Sequence, residues 1–266
     1  MTPDEKYLFD LNGYLVVEDA LSPSEVAEAN AAIDRHLDQQ RLRPREESLS
    51  GGAPALAGTQ GRGELGGMLE WDHPWCDPFR KMVAHPRIVP YLHELLGRGF
   101  RMDHRMMLLS MERGAEGFRL HGSSGPGFDP NQYYIVRNDR MHNGLTVVTF
   151  QLTDVNPGAG GLVVIPGSHK SNFPCPPAML RYEAHQEHVR QITCRAGSAV
   201  IFTEAVTHGT LPWTAGPPRR SLLTRYTAAN MAYVPASPPP DWAGERERAV
   251  MEPPYHPRLN RPVLEE

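Results

Sequence analysis

The sequence predicts a mainly β domain, a sandwich or jelly roll, with helices packed outside one sheet. Three observations carry this expectation. From Phe100 onward, short apolar and β-branched runs alternate with Gly, Pro and Asn turns. Pro and Gly are abundant, at 26 and 24 residues, which favours a loop-rich β fold over a helical one. Apolar residues at helical spacing are found chiefly before residue 97. A chain of 266 residues can bury a large core, and a single all-β domain of this length is ordinary.

Asn12 and Gly13 form a turn before an apolar strand at Tyr14–Val17. A helix follows: Ser22 caps it, Pro23 takes the first helical position and Glu25 closes a capping box. Val26, Ala29, Ile33 and Leu37 fall on one face, so this helix should pack on a sheet. Residues 49–71 are Gly-rich and without period, which reads as a long loop ending in the aromatic run WDHPW. Over residues 49–75 this predicts a mobile cover on a pocket. Trp71 and Trp75 are read as anchors of that loop on the core, and Asp72 and His73 as exposed. Residues 77–97 read as one or two helices with Val89, Leu92, Leu95 and Leu96 inward and Gly97 ending them.

Strands are then expected at 106–110, 118–120, 133–136, 145–152, 162–165, 189–194, 199–202 and 221–226. Residues 1–234 form the domain, and 235–266 are a Pro-rich, charged tail without period that wraps the surface or stays partly disordered.

Charged residues make up 22% of the chain and the formal charge is −4, with no basic stripe for nucleic acid. No run of 18 or more apolar residues could cross a membrane, and the start lacks a signal peptide's basic and apolar regions. Cys76, Cys175 and Cys194 are odd in number and far apart, which reads as free thiols in a reducing cytoplasm.

The chemistry centres on two histidines. A non-haem iron site takes two imidazoles and one carboxylate, and keeps positions open for O2 and a keto acid. His121 ends a predicted strand, and His208 lies far downstream, where the intervening strands could return it to the same barrel mouth. Arg219 follows on the next predicted strand, and a guanidinium fork suits a carboxylate bidentately. His104, His142 and His169 are read as surface or supporting groups, and Gly160–Gly161 as turn chemistry. Pocket walls are expected from residues 44–80 and 122–142.

Four stretches carry a resemblance to a known family: FDLNGYLVVEDALSPSEV near the start, GLTVVTFQLTDVNPGAGGLVVIPGSHK at 144–170, AGSAVIFTEAVTHG, and PPRRSLL. Together, from about Tyr7 to Tyr233, they resemble the phytanoyl-CoA dioxygenase family of Fe(II)/2-oxoglutarate oxygenases. The PGSH segment after the Gly-Gly turn is the most specific. The resemblance implies a double-stranded β-helix (a cupin-like jelly roll) and a dioxygenase using Fe(II), 2-oxoglutarate and O2. It implies that His121 and His208 hold iron, that Arg219 holds the distal carboxylate of 2-oxoglutarate, and that Phe150 is an apolar neighbour of that co-substrate. Arg220 takes the anchoring role if the register slips by one. The implied reaction oxidises a small organic molecule, by default hydroxylating it, as 2-oxoglutarate is decarboxylated to succinate. The oligomeric state is not set by the sequence.

One position departs from the family. Where an Asp stands two residues after the first His, this chain has Ser123, whose neutral hydroxyl is a poor iron ligand. Three readings stay open: another carboxylate completes the site, with Glu204, Asp129 and Glu116 as candidates; a halide takes the place, as in iron halogenases; or the fold has become a non-catalytic ligand-binding jelly roll. Glu204 is the choice made here, on the expectation that the chain reverses at 205–207 and sets Glu204 opposite His208 across a hairpin. The segment Ala-Val-Thr offers no residue suited to φ > 0 for such a turn.

Overall fold

The structure is a computed structural model that describes residues 1–122 and 128–264. Ser123 lies outside the described residues. In chain order the strands are β1 (Tyr14–Val17), β2 (Arg41–Leu42), β3 (Gly63–Leu65), β4 (Arg101–Met111), β5 (Phe118–His121), β6 (Tyr134–Arg137), β7 (Arg140–Asn143), β8 (Thr146–Gln151), β9 (Gly161–Val164), β10 (Arg190–Gln191), β11 (Ala199–Thr203), β12 (His208–Leu211) and β13 (Arg219–Thr227). The α-helices are α1 (Pro3–Asn12), α2 (Pro23–Arg35), α3 (Asp77–Val83), α4 (Val89–Leu96), α5 (Pro177–Leu180) and α6 (Glu245–Met251).

The strands form a seven-stranded sheet in the order β1-β11-β8-β13-β4-β3-β2, a four-stranded sheet in the order β10-β9-β12-β5, and the hairpin β6-β7. Neighbouring strands run antiparallel. This is the jelly roll expected from the sequence.

Side-chain alternation along the long sheet separates two cores. Val148, Phe150, Ala199, Ile201, Leu222 and Tyr226 face outward, in one cluster with Ile33 of α2, Phe79 of α3 and Leu92 of α4. Val147, Val200 and Phe202 face inward and meet Leu162 and Val164 of the smaller sheet. The helices thus brace one sheet from behind, and its front face is left to line the barrel. Both N-terminal helices start as their residues dictate: Thr2 and Ser22 accept from the backbone of Glu5 and Glu25, whose side chains reach back, and a Pro leads each helix.

Three segments differ from expectation. Residues 49–71 are not free loop: β3 pairs with β4, and backbone bonds join Gly117 to Leu56, Glu116 to Gln60 and Arg119 to Leu49. Leu56, Met68 and Leu69 bury fully there, so the expected cover is a packed wall of the barrel. Their spacing has neither helical nor strand period, which hid them. Trp71 does anchor this wall, stacking on His36 with ring centroids 3.9 Å apart and meeting Phe79 edge-on. His73 is exposed beside Asp77. The segment after residue 234 carries α6, whose Ala249, Val250 and Met251 join the outer core. That apolar run was too short to register as a helical face. Strand β7 was also not anticipated, because polar residues interrupt its alternation.

Candidate metal centre

Two strands of the smaller sheet bring the histidines together. His121 closes β5, His208 opens β12, and the two are direct cross-strand partners. Their rings lie 4.2 Å apart between centroids. Gly209, next to His208, makes the close pairing of β12 and β5 possible, since a Cβ there would stand 2.6 Å from the Phe118 carbonyl oxygen.

Each imidazole is oriented by a carbonyl oxygen. His121 Nδ1 lies 3.1 Å from the Arg119 oxygen, and His208 Nδ1 lies 2.8 Å from the Val206 oxygen. A carbonyl only accepts, so each Nδ1 donates its proton and each Nε2 keeps a lone pair. Burial keeps both rings neutral. It pushes the His121 pKa down to about 3, with His208 beside it adding to the effect, and it lowers that of His208 as well.

Glu204 is buried at the same spot. Its Oε2 lies 3.6 Å from His208 Nε2, and Arg225 Nε donates to its Oε1. Burial acts to raise its pKa, and the Arg225 guanidinium, through its charge and its hydrogen bond, helps to hold the carboxyl below its ordinary value. The ligand atoms of His121, Glu204 and His208 all lie within 4.8 Å of one another. Among the described residues this is the one cluster of its kind. Two neutral imidazoles and one ionised carboxylate are the donor set that suits non-haem Fe(II).

The connection that places Glu204 is not the hairpin expected. β11 belongs to the seven-stranded sheet and β12 to the four-stranded one, so residues 204–207 turn a corner between sheets. Glu204 N bonds the Leu145 oxygen, Thr207 N bonds Ser168 Oγ, and the Thr207 oxygen accepts from Ile165 N. None of residues 204–207 has positive φ, which is why Ala-Val-Thr serves for this corner where it would not serve for a tight hairpin. The other two carboxylate candidates are elsewhere. Glu116 is engaged by Ser48 Oγ and Leu49 N, and Asp129 caps the Asn131 N–H.

Behind the triad lies a cavity of about 120 Å³, whose wall includes His121, His208, Leu223 and three guanidinium-bearing residues, Arg62, Arg219 and Arg225. Arg219 is buried at 5% exposure and has no carboxylate partner among the described residues. Its Nε has no hydrogen-bond partner, and its Nη1 finds only the Met111 sulfur at 3.7 Å. Burial pushes its pKa down to about 10. A buried cation without a counter-ion is costly, and an anion bound in the cavity would offset that cost. Gly161 makes room for the guanidinium: φ is +83°, and a Cβ there would lie 3.2 Å from Arg219 Cδ and Nε. The Gly-Gly turn therefore does more than turn the chain.

Two sequence expectations are corrected. Arg220, next in the strand, points to the opposite face, where it bonds Asn30 and Asp34 of α2. Phe150 also faces the helices, buried in the outer core against the His85 ring. Strand alternation decides both cases: Thr149 and Ser221 line the cavity and their neighbours Phe150 and Arg220 do not. The same alternation, carried forward from Arg219 through Ser221 and Leu223, reaches Arg225, which the sequence reading overlooked. Arg62 comes from the packed wall and had no sequence signal.

The chain matches the family model of phytanoyl-CoA dioxygenase (PhyH) over residues 9–221. An ectoine dioxygenase from Nocardia farcinica is 25% identical over 271 residues, which cover 90% of this chain and 83% of the relative. An ectoine dioxygenase from Streptomyces coelicolor is 24% identical over 264 residues, again 90% of this chain and 83% of the relative. Among solved structures, HygX from Streptomyces hygroscopicus with nickel and 2-oxoglutarate bound superposes with a TM-score of 0.69 at 18% identity, covering 87% of this chain and 89% of that one. SnoK, a carbocyclase from nogalamycin biosynthesis that depends on α-ketoglutarate, superposes with a TM-score of 0.62 at 16% identity, over 86% and 85% of the two chains. These structures share the fold.

Proposed function

The chain belongs to the phytanoyl-CoA dioxygenase family, and from that premise we propose that it is a non-haem Fe(II)- and 2-oxoglutarate-dependent dioxygenase whose iron is held by His121, Glu204 and His208. The observation that carries the ligand assignment is the convergence of two oriented Nε2 atoms and one carboxylate, beside a buried guanidinium whose Nε has no hydrogen-bond partner. Bound there, iron with O2 would couple decarboxylation of 2-oxoglutarate to oxidation of a second molecule. The chain's own residues do the rest. The Arg119 and Val206 carbonyls hold the imidazoles in the tautomer that ligates. Arg219 takes the distal carboxylate of the keto acid. Leu109, Leu162 and Leu223 line the cavity with apolar surface and exclude water.

The substrate is a small organic molecule, in keeping with a cavity of about 120 Å³, and hydroxylation is the outcome assigned. Glu204 supplies the charge that Ser123 lacks, so no halide is needed to complete the ligand set. Among the described residues no helix is long and apolar enough to cross a membrane.

The test compares wild type, Glu204→Ala and His208→Ala. Fe(II) content after anaerobic loading and succinate release from 2-oxoglutarate are measured for each. The reading expects loss of iron and of succinate in both variants. A Glu204→Ala protein that loads iron and releases succinate normally removes Glu204 from the site. Product that appears only with added chloride or bromide would favour halogenation.

A further inference from the structure

Arg225 lies on β13, on the same inward face as Arg219, and lines the cavity. In the long sheet, Val147 of β8 has Arg225 as its partner on one side and Phe202 of β11 on the other. Glu204 lies two residues beyond Phe202. The guanidinium therefore reaches across β8 to the carboxylate. The pairing of β13 with β4 slips on both sides of Arg225, between Leu223 and Arg225 and again between Arg225 and Tyr226, while the pairing with β8 stays regular. Such irregularities re-aim a side chain and often stand beside active sites. Here the re-aimed side chain is the one that meets Glu204.

The contact is specific to one oxygen. Arg225 Nε donates to Oε1, while Oε2 is turned to His208 Nε2 at 3.6 Å. Arg225 thus leaves free the oxygen that faces His208 Nε2. With the Ser123 position offering no acid, the carboxylate arrives from a corner between sheets, where its backbone is set by Leu145 and its side chain is bonded by Arg225.

We infer that Arg225 is a positioning residue for the metal centre: it binds Glu204 Oε1, holds the carboxylate aimed in the metal-free protein, and so sets Fe(II) affinity without touching the ion. This rests on the reading that Glu204 is a ligand. Groups that orient a ligand in this way are worth about 10- to 100-fold in metal affinity.

The experiment is an anaerobic titration of metal-free protein with Fe(II), paired with Co(II) titration followed by visible absorption, which reports coordination independently of turnover. The variants are Arg225→Ala, Arg225→Gln, Arg225→Lys and Glu204→Ala, each checked for a cooperative thermal transition. Arg225→Ala and Arg225→Gln should weaken Fe(II) binding by about tenfold or more and alter the Co(II) spectrum. Arg225→Lys, which keeps a charged donor, should recover most of the affinity. If Arg225→Ala does not fold, the Gln and Lys pair carries the comparison. Wild-type affinity and spectrum in Arg225→Gln, together with metal loss in Glu204→Ala, would overturn the role of Arg225 alone. Wild-type metal binding in Glu204→Ala would overturn the ligand assignment beneath it.

Discussion

Replacing Arg219 by Met should make the protein more stable and nearly unable to bind its keto acid. The two signs come from one fact: the guanidinium is buried at 5% exposure and its Nε has no partner. In the ligand-free protein, that unsatisfied group costs about 1–3 kcal/mol. Methionine has a similar length and no polar atom, so Arg219→Met recovers that cost in the ligand-free state. For a domain of this size the gain is a rise in Tm on the order of 5 °C. In the loaded protein the same residue is one half of a buried charge pair. Removing one partner of such a pair costs about 3 kcal/mol or more, and about 1.4 kcal/mol corresponds to a tenfold change in affinity. The 2-oxoglutarate Kd should therefore rise by about 100-fold or more. Thermal melts with and without 2-oxoglutarate, in the presence of Ni(II) to prevent turnover, give both quantities from one set of samples. A variant that melts below wild type and still binds 2-oxoglutarate normally would mean that Arg219 is a structural cation whose anion was misidentified.

Three further outcomes follow from named contacts. Arg220→Ala removes bonds to Asn30 and the exposed Asp34, so it should cost under about 1 kcal/mol and leave 2-oxoglutarate affinity unchanged, as calorimetric titration would show; a large loss of affinity would reverse the assignment of the two arginines. Gly161→Ala puts a Cβ against the Arg219 stem at φ +83°, so it should lower both stability and keto-acid affinity, the former by about 1 kcal/mol or more, measured by denaturant unfolding; wild-type affinity would show that the guanidinium tolerates displacement. The pH dependence has a definite sign: burial lowers the pKa of His121 to about 3 and that of His169 to about 4, so between those values and the unfolded value of 6.5 the unfolded chain binds more protons. Metal-free protein should hold its full stability above about pH 6.5 and lose it steadily as pH falls toward 4, and a Tm that is flat over that range would refute the buried, neutral state of these rings.

The sequence was informative where chemistry and period coincide. The capping box at Ser22 and the alternation in β8, β11 and β13 follow from residue type alone. His121 and His208 stood out as strand-flanked imidazoles with a guanidinium downstream, and the structure makes them cross-strand partners. The choice between Arg219 and Arg220 was also decidable from alternation, because neighbours on a strand face opposite ways. Phe150 was misplaced by the same one-residue logic. What the sequence could not carry was the route of the chain between sheets. Glu204 reaches His208 because residues 204–207 cross from one sheet to the other, a property of topology that no local turn pattern encodes. The packed wall over residues 49–71 was hidden for a related reason: its buried residues, Leu56, Leu65, Met68 and Leu69, fill gaps in a surface built by distant strands and so follow no period of their own.

The central claim is that Glu204, two sheets' junction away from the position where the family keeps its acid, completes the metal centre with His121 and His208. An anaerobic crystal structure of the protein loaded with Fe(II) and 2-oxoglutarate tests this directly. The account predicts iron bonded to Nε2 of His121, Nε2 of His208 and one oxygen of Glu204, with Arg225 on the other oxygen and the distal carboxylate of 2-oxoglutarate on Arg219. Iron held by the two histidines with water or halide as the third ligand, and Glu204 paired with Arg225 alone, would contradict it.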